Sequence, residues 1–399
     1  MDQKRGNFLY WKDLKNALIP TDDQLDEEVH SKRYYLNSSF RKIISNDQFY
    51  TINAIWYHNN FKDNIGKGNN ATSDYLNAEF QFNTKYQRHF FTFGLTPTIN
   101  ELSSNIFGSR SGLGLAAYFQ DEITWTEKWI TTIGGRFDYF DIDSLGSDYS
   151  FNPKLGIVFK PKTNTALRAS FGTGFREPSM AEAFTSTEAS GLPVVPNQDL
   201  KPEKSLSIEL GWNEIIDPSL MLDISFFLNN YWDLIEGGFH EGDNNTVFIR
   251  FDNVTEARIT GFETNLNWWV VKNKLRFNFG YTYIDPQNLT INDYLNYRPR
   301  HLLYTEAEWK YRIFQLGLDY RYISRYDRID EQFDIYINDA DERVAAQIVD
   351  IHLAANFDVN KIPLQISLQI NNLFQYHYID FVGSIAPIRN FILSVDADF

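Results

Sequence analysis

Leu364-Gln365-Ile366-Ser367-Leu368-Gln369-Ile370-Asn371 puts an apolar residue at every even position and a polar one at every odd position. A period of two sends successive side chains to opposite faces of a β-strand. The pattern returns with rings at Leu275-Arg276-Phe277-Asn278-Phe279-Gly280-Tyr281-Thr282-Tyr283, and again over 314–322, 349–357 and 76–83. One face is apolar; the other carries Arg, Glu, Asp, Asn, Gln and Gly. Segments of this kind fill residues 32–399 with about 17 strands of about 9–14 residues each. No segment calls for a helix.

The connections between these strands fall into two kinds. Short turns are expected near Asn46-Asp47, 85–88, 126–128, 162–165, Lys272-Asn273 and 311–313, with slightly longer ones at 213–218 and 358–363. Between them, in alternation, lie polar segments read as long loops at 62–71, 102–112, 142–150, 176–204, 236–256, 284–300, 327–345 and 375–388. An up-and-down barrel with one short-turn rim and one long-loop rim produces this rhythm. A soluble sandwich or propeller also alternates, but with shorter strands and without ionised groups along nearly the whole of one face. The expected fold is therefore an all-β, antiparallel transmembrane barrel, with aromatics such as Trp125, Trp129, Tyr320 and Tyr322 forming interface girdles.

Composition agrees with this reading. The 399 residues carry 37 Lys+Arg against 52 Asp+Glu, a net charge of -15, with no cysteine, 33 Phe, 23 Tyr and 9 Trp. The acidic balance excludes a nucleic-acid partner, which needs a basic stripe. Without cysteine there is no disulfide framework, thiolate zinc site or cysteine nucleophile. No stretch approaches the roughly 20 apolar residues of a membrane helix, a criterion blind to transmembrane strands. Enzyme and cofactor motifs fail on context: Gly112-Leu113-Gly114-Leu115-Ala116-Ala117 opens a strand and no helix follows it. Asp141-Ile142-Asp143 with Gly146 lacks the oxygen donors of a calcium loop, and the seven histidines show no metal-ligand spacing. We expect no enzyme, no cofactor and no metal.

Asn152-Pro153-Lys154-Leu155-Gly156 and the run from Arg168 to Ser179 (RASFGTGFREPS) resemble the barrel of TonB-dependent outer-membrane receptors. So do 197–203 (NQDLKPE) with Glu209-Leu210-Gly211, the run from Ala257 to Glu263 (ARITGFE), Asn371-Asn372-Leu373-Phe374, and a last strand ending in Phe399. Their order across about 250 residues makes the resemblance. Family barrels have about 22 strands around a plug. With about 17, this chain reads as the C-terminal three-quarters of such a barrel: residues 1–31 an extracellular-loop-like segment, 32–399 barrel, without plug, signal peptide or TonB box. An incomplete sheet would leave edge amides unpaired in lipid, so it is expected to be unstable there alone.

The resemblance implies location in the outer membrane and import of a scarce ligand (siderophore, haem, cobalamin or glycan) with TonB-coupled energy. It implies lipid, a plug domain, the TonB system, the barrel-assembly machinery and a small-molecule or glycan ligand as partners. Glu209 and Glu263, both inward by alternation, match glutamates that lock the plug through arginines. The loop 176–204 is the foremost expected ligand contact, with Arg176, Glu177, His240 and His377 as contact candidates. Phe399 matches the terminal aromatic read by the assembly machinery. A passive porin is the alternative, and a soluble carbohydrate-binding β protein a more distant one.

Overall fold

The computed structural model describes residues 2–6, 28–64, 68–189, 192–242, 246–329, 344–359, 362–381 and 384–397. Among them, seventeen strands of eight or more residues run up and down in one antiparallel sheet. In chain order they are β1 (Glu28–Ser45), β2 (Gln48–Asp63), β3 (Asn70–Tyr86), β4 (His89–Ser104), β5 (Gly108–Thr124), β6 (Trp129–Ile142), β7 (Gly146–Lys162) and β8 (Thr165–Arg176). There follow β9 (Glu203–Asp217), β10 (Leu220–Glu241), β11 (Val247–Val271), β12 (Leu275–Asn288), β13 (His301–Tyr311), β14 (Phe314–Ile323), β15 (Ala346–Val359), β16 (Ile362–Asn371) and β17 (Asn390–Ala397). Each pairs with its sequence neighbour, while β1 and β17 do not pair with each other, so the described sheet is open. Residues Asp2–Gly6 extend it at one edge, pairing with Glu28–Lys32. The rest of the expected N-terminal loop segment, 7–27, lies outside the described residues.

Alternation fixes the two faces. On β16, Gln365 donates to Asn356 and Gln369 to Asn371, so the odd positions share the polar face. The same face holds Asn278 with Glu306, and His352 with Asp319 at 2.6 Å. The other face presents Ile366, Leu353, Leu318, Trp268, Leu210 and Phe93, all exposed to the surroundings. Exposed apolar surface on this scale has no place in water but suits a lipid contact.

The turns at 46–47, 87–88, 272–274 and 312–313 stand where expected. Several expected long loops do not. Segments 102–112 and 142–150 are tight turns, because Gly108 (φ +74°), Ser144 (φ +70°) and Gly146 (φ +87°) supply left-handed backbone. At 213–218 the turn is also tight; Asp217 Oδ1 accepts from the Ser219 N–H and hydroxyl at 2.6 Å each. The segment 236–256 is mostly strand, β10 and β11 running 22 and 25 residues and projecting beyond their neighbours. The expectation of no helix is corrected as well. Met180–Phe184 forms a short helix, α1, whose capping box joins Ser179 and Glu182 reciprocally. Most of 327–345 and the centre of 358–363 lie outside the described residues.

Candidate functional site

The described parts of the connection from β8 to β9, 177–189 and 192–202, fold as a strap across the long-loop rim. Its root is Arg176, whose guanidinium forks between two carboxylates: Nε and Nη2 donate to Glu203 at 2.6 Å, and Nη1 and Nη2 to Glu182 at 2.8 and 3.0 Å. Such bidentate pairs fix geometry as well as charge. They raise the Arg176 pKa against the opposing effect of burial. Burial works against the charge on Glu182, yet the Arg176 fork and the Ser179 backbone and hydroxyl outweigh it and hold that carboxyl below the usual carboxylate range.

Apolar contacts seat the strap. Met180, Ala183 and Phe184 of α1 pack with Phe140, Ile142 and Leu200, and the Arg110 guanidinium lies 4.4 Å from the Phe184 ring centroid. The 197–203 run is a clasp. Asn197 Nδ2 donates to Phe251 O and Asp252 Oδ1, Asn253 Oδ1 accepts from the Lys201 N–H, and Glu203 Oε1 accepts from the Ile235 N–H. Those residue types therefore tie the strap to the projecting β10–β11 hairpin.

Beneath the strap, on the polar face of β3–β8, lies a cavity of about 700 Å³. Tyr75, Asn100, Asn152, Arg136, Asp138 and Glu177 contribute polar groups to it. The Arg136 guanidinium is neutralised, since its Nε donates to Asp138 Oδ1 at 2.7 Å. The hydroxyls of Thr96 and Thr173 also line it, buried and without a hydrogen-bond partner among the described residues. Burial pushes the Glu177 carboxyl up, and the charge of Asp138 adds to the shift.

Lower on the polar face, toward the short-turn rim, is a second cluster. Arg168 on β8 extends across β9 to β10: Nη1 and Nη2 donate to Asp223 at 2.8 and 2.7 Å, and Nε donates to Glu209 at 3.2 Å. Its path runs directly over Gly211, where a Cβ would stand 2.3 Å from Arg168 Nε. Gly261 does the same for a ring: a Cβ there would meet Phe227 Cζ at 2.7 Å and Tyr283 O at 2.2 Å. The glycines of Glu209-Leu210-Gly211 and Gly261-Phe262-Glu263 are thus lanes that let large side chains lie flat on the wall.

Glu209 and Glu263 face inward as expected, on β9 and β11 with β10 between them; their partners on β10 are Phe227 and Ser225. Glu209 is held by Arg168, whereas Glu263 is exposed and makes no hydrogen bond or ion pair with another described residue. Arg176 and Glu177 meet at the strap and cavity. His240 is elsewhere, on the β10–β11 hairpin, paired with Asp252 at 2.8 Å and stacked on Phe248. His377 is an exposed loop side chain, and Phe399 lies outside the described residues. The sequence reading missed Arg168, which comes opposite Gly211 only through the register of β8 with β9.

The profile of the TonB dependent receptor-like β-barrel family matches residues 5–373. The chain belongs to that family. Its curated relatives include the probable TonB-dependent siderophore receptor PiuA of Acinetobacter baumannii, 27% identical over 191 residues, covering 43% of this chain and 24% of PiuA. The iron-regulated outer membrane virulence protein of Vibrio cholerae is 23% identical over 272 residues, covering 63% of this chain and 40% of that protein. Among solved structures, the ferric-catecholate import receptor Fiu from E. coli K12 superposes with a TM-score of 0.75 at 13% identity, over 99% of this chain and 70% of that one. The matches span less than half the length of these curated relatives. Membership places the receptor barrel in the outer membrane.

Proposed function

We propose that this chain forms the barrel of an active outer-membrane import receptor, taking up a scarce ligand of the iron-complex class with energy supplied through TonB. The observation supporting this reading is the strap-covered cavity at the long-loop mouth of a family barrel. The names of its relatives, a siderophore receptor among them, point to the same class. Asn, Thr and Tyr side chains dominate the polar part of the wall, and both of its arginines are already paired. A neutral iron complex rich in hydroxyl and amide groups suits it better than a highly anionic one, because unsatisfied hydroxyls gain partners and no bare cation awaits a charge. Uptake of labelled ferric hydroxamate by cells producing the receptor should stop when the proton-motive force is collapsed. Uptake that continues unchanged supports the porin reading instead.

Glu263, with Glu209 beside it, forms the barrel's half of a lock for a cationic plug segment. Arg168 offsets one carboxylate of the Glu209–Asp223 pair, which leaves the cluster of four side chains net negative. Glu209→Gln with Glu263→Gln in the plug-bearing receptor should loosen the plug and raise passive leak of small solutes. Unchanged leak together with unchanged plug stability would remove the assignment.

A further inference from the structure

A second polar pocket lies on the opposite face of the wall. Tyr281 and Tyr283 alternate with the inward residue Asn278 and therefore point toward lipid, as do their neighbour His301 and, on β14, Tyr322. His301 is the first residue of β13 and Ile323 the last of β14, so the group sits at the end of the wall away from the short 312–313 turn, an aromatic cluster of the kind that marks a membrane interface. Here Arg300, His301, Tyr322, Ser324, Arg325 and Asp327 enclose about 270 Å³.

This pocket sets two arginines beside two carboxylates, and its donors are incompletely satisfied. The Arg300 guanidinium lies 5.5 and 5.0 Å from the Tyr283 and Tyr294 ring centroids, and its Nη2 donates to the Tyr283 hydroxyl at 2.7 Å. Asp285 and Asp327 approach it only to 3.7 and 3.8 Å, and its buried Nε has no hydrogen-bond partner among the described residues. Arg325 is exposed and makes no hydrogen bond or ion pair with any described residue. The His301 ring uses Nδ1 on the Tyr281 hydroxyl, which leaves Nε2 available. Aromatic rings hold one guanidinium in place while a second stands open beside it, an arrangement suited to a tetrahedral oxyanion.

We propose that this pocket binds the phosphate headgroup of an anionic outer-leaflet lipid. Lipid is the source favoured by position, because the pocket opens beside the exposed apolar belt and not into the lumen. The two carboxylates position Arg300 without consuming its donors, and the free guanidinium of Arg325 supplies the charge-assisted hydrogen bonds.

Native mass spectrometry of the detergent-solubilised protein, offered phosphatidic acid or phosphatidylcholine, tests this. Wild type should retain phosphatidic acid about tenfold better, the equivalent of one charge-assisted hydrogen bond. Arg325→Gln should abolish that preference and Arg325→Lys restore part of it. Arg312→Gln, at the short 312–313 turn, should leave it intact. Equal retention of the two lipids by wild type, or full preference in Arg325→Gln, overturns the proposal. Complete displacement of phosphatidic acid by millimolar inorganic phosphate overturns the lipid source and makes this a site for free phosphate.

Discussion

Leu368→Arg should destabilise the membrane-inserted barrel by about 2–4 kcal/mol, the cost of a guanidinium facing lipid near the bilayer midplane. Leu368 sits in the middle of β16, flanked by Leu353 on β15 and Leu393 on β17 in register. These three leucines form a row on the apolar face, so a charge there has no partner within reach along the strands. Gln369→Arg, one residue away on the polar face, should cost under about 1 kcal/mol because the lumen is wet and polar. Reversible denaturant unfolding in lipid vesicles measures both. Similar losses for the two variants would mean that the faces are misassigned.

Asp350→Ala should be the most damaging single change on the lumen side, at about 3 kcal/mol, since it removes a charged acceptor and strands a buried donor. Asp350 is 7% exposed. Its Oδ1 accepts from the Asn372 N–H at 2.6 Å and its Oδ2 from Arg321 Nη2 at 2.8 Å. Asn372 is 3% exposed with φ +50°, and its side chain in turn holds the connection to β17. Its Nδ2 donates to Tyr376 O and Pro387 O, and its Oδ1 accepts from the Tyr376 N–H. Hydrogen exchange at residues 372–378 should rise in Asp350→Ala. Asp350→Asn, which retains one acceptor oxygen, should rise less. Protection unchanged in both would show that the connection is seated by other contacts.

How much of this was legible in the sequence depends on the kind of signal. Faces were legible because a period of two needs no knowledge of partners: Leu364–Asn371 shows its lipid side unaided. The strand count was legible for the same reason. Strand lengths were not, because the apolar/polar alternation lapses in the β10–β11 extension, so 236–256 reads like a loop. The turns at Gly108 and Gly146 were hidden by polar flanks, although the glycines themselves marked them. Ser179-Met180-Ala181-Glu182 is a legible capping box that went unused, because one turn of helix leaves no periodicity.

Site residues divide the same way. The inward direction of Glu209 and Glu263 followed from alternation. The pairing of Arg168 with Asp223 did not, because it depends on the register of three strands joined by a 26-residue connection and a turn. No local pattern encodes that register. The strap's role shows a similar limit. Arg176 and Glu177 are adjacent in sequence and both line the cavity, yet only the first is consumed by the Glu182–Glu203 fork.

One face of this sheet meets lipid and the other a polar lumen. The chain has no cysteine, so single cysteines at 364–371 can be introduced without background. Each would be probed with a lipid-phase label and a water-soluble one in reconstituted membranes. Lipid-phase labelling is expected at 364, 366, 368 and 370 and aqueous labelling at 365, 367, 369 and 371. Equal labelling of even and odd positions by both reagents would contradict it.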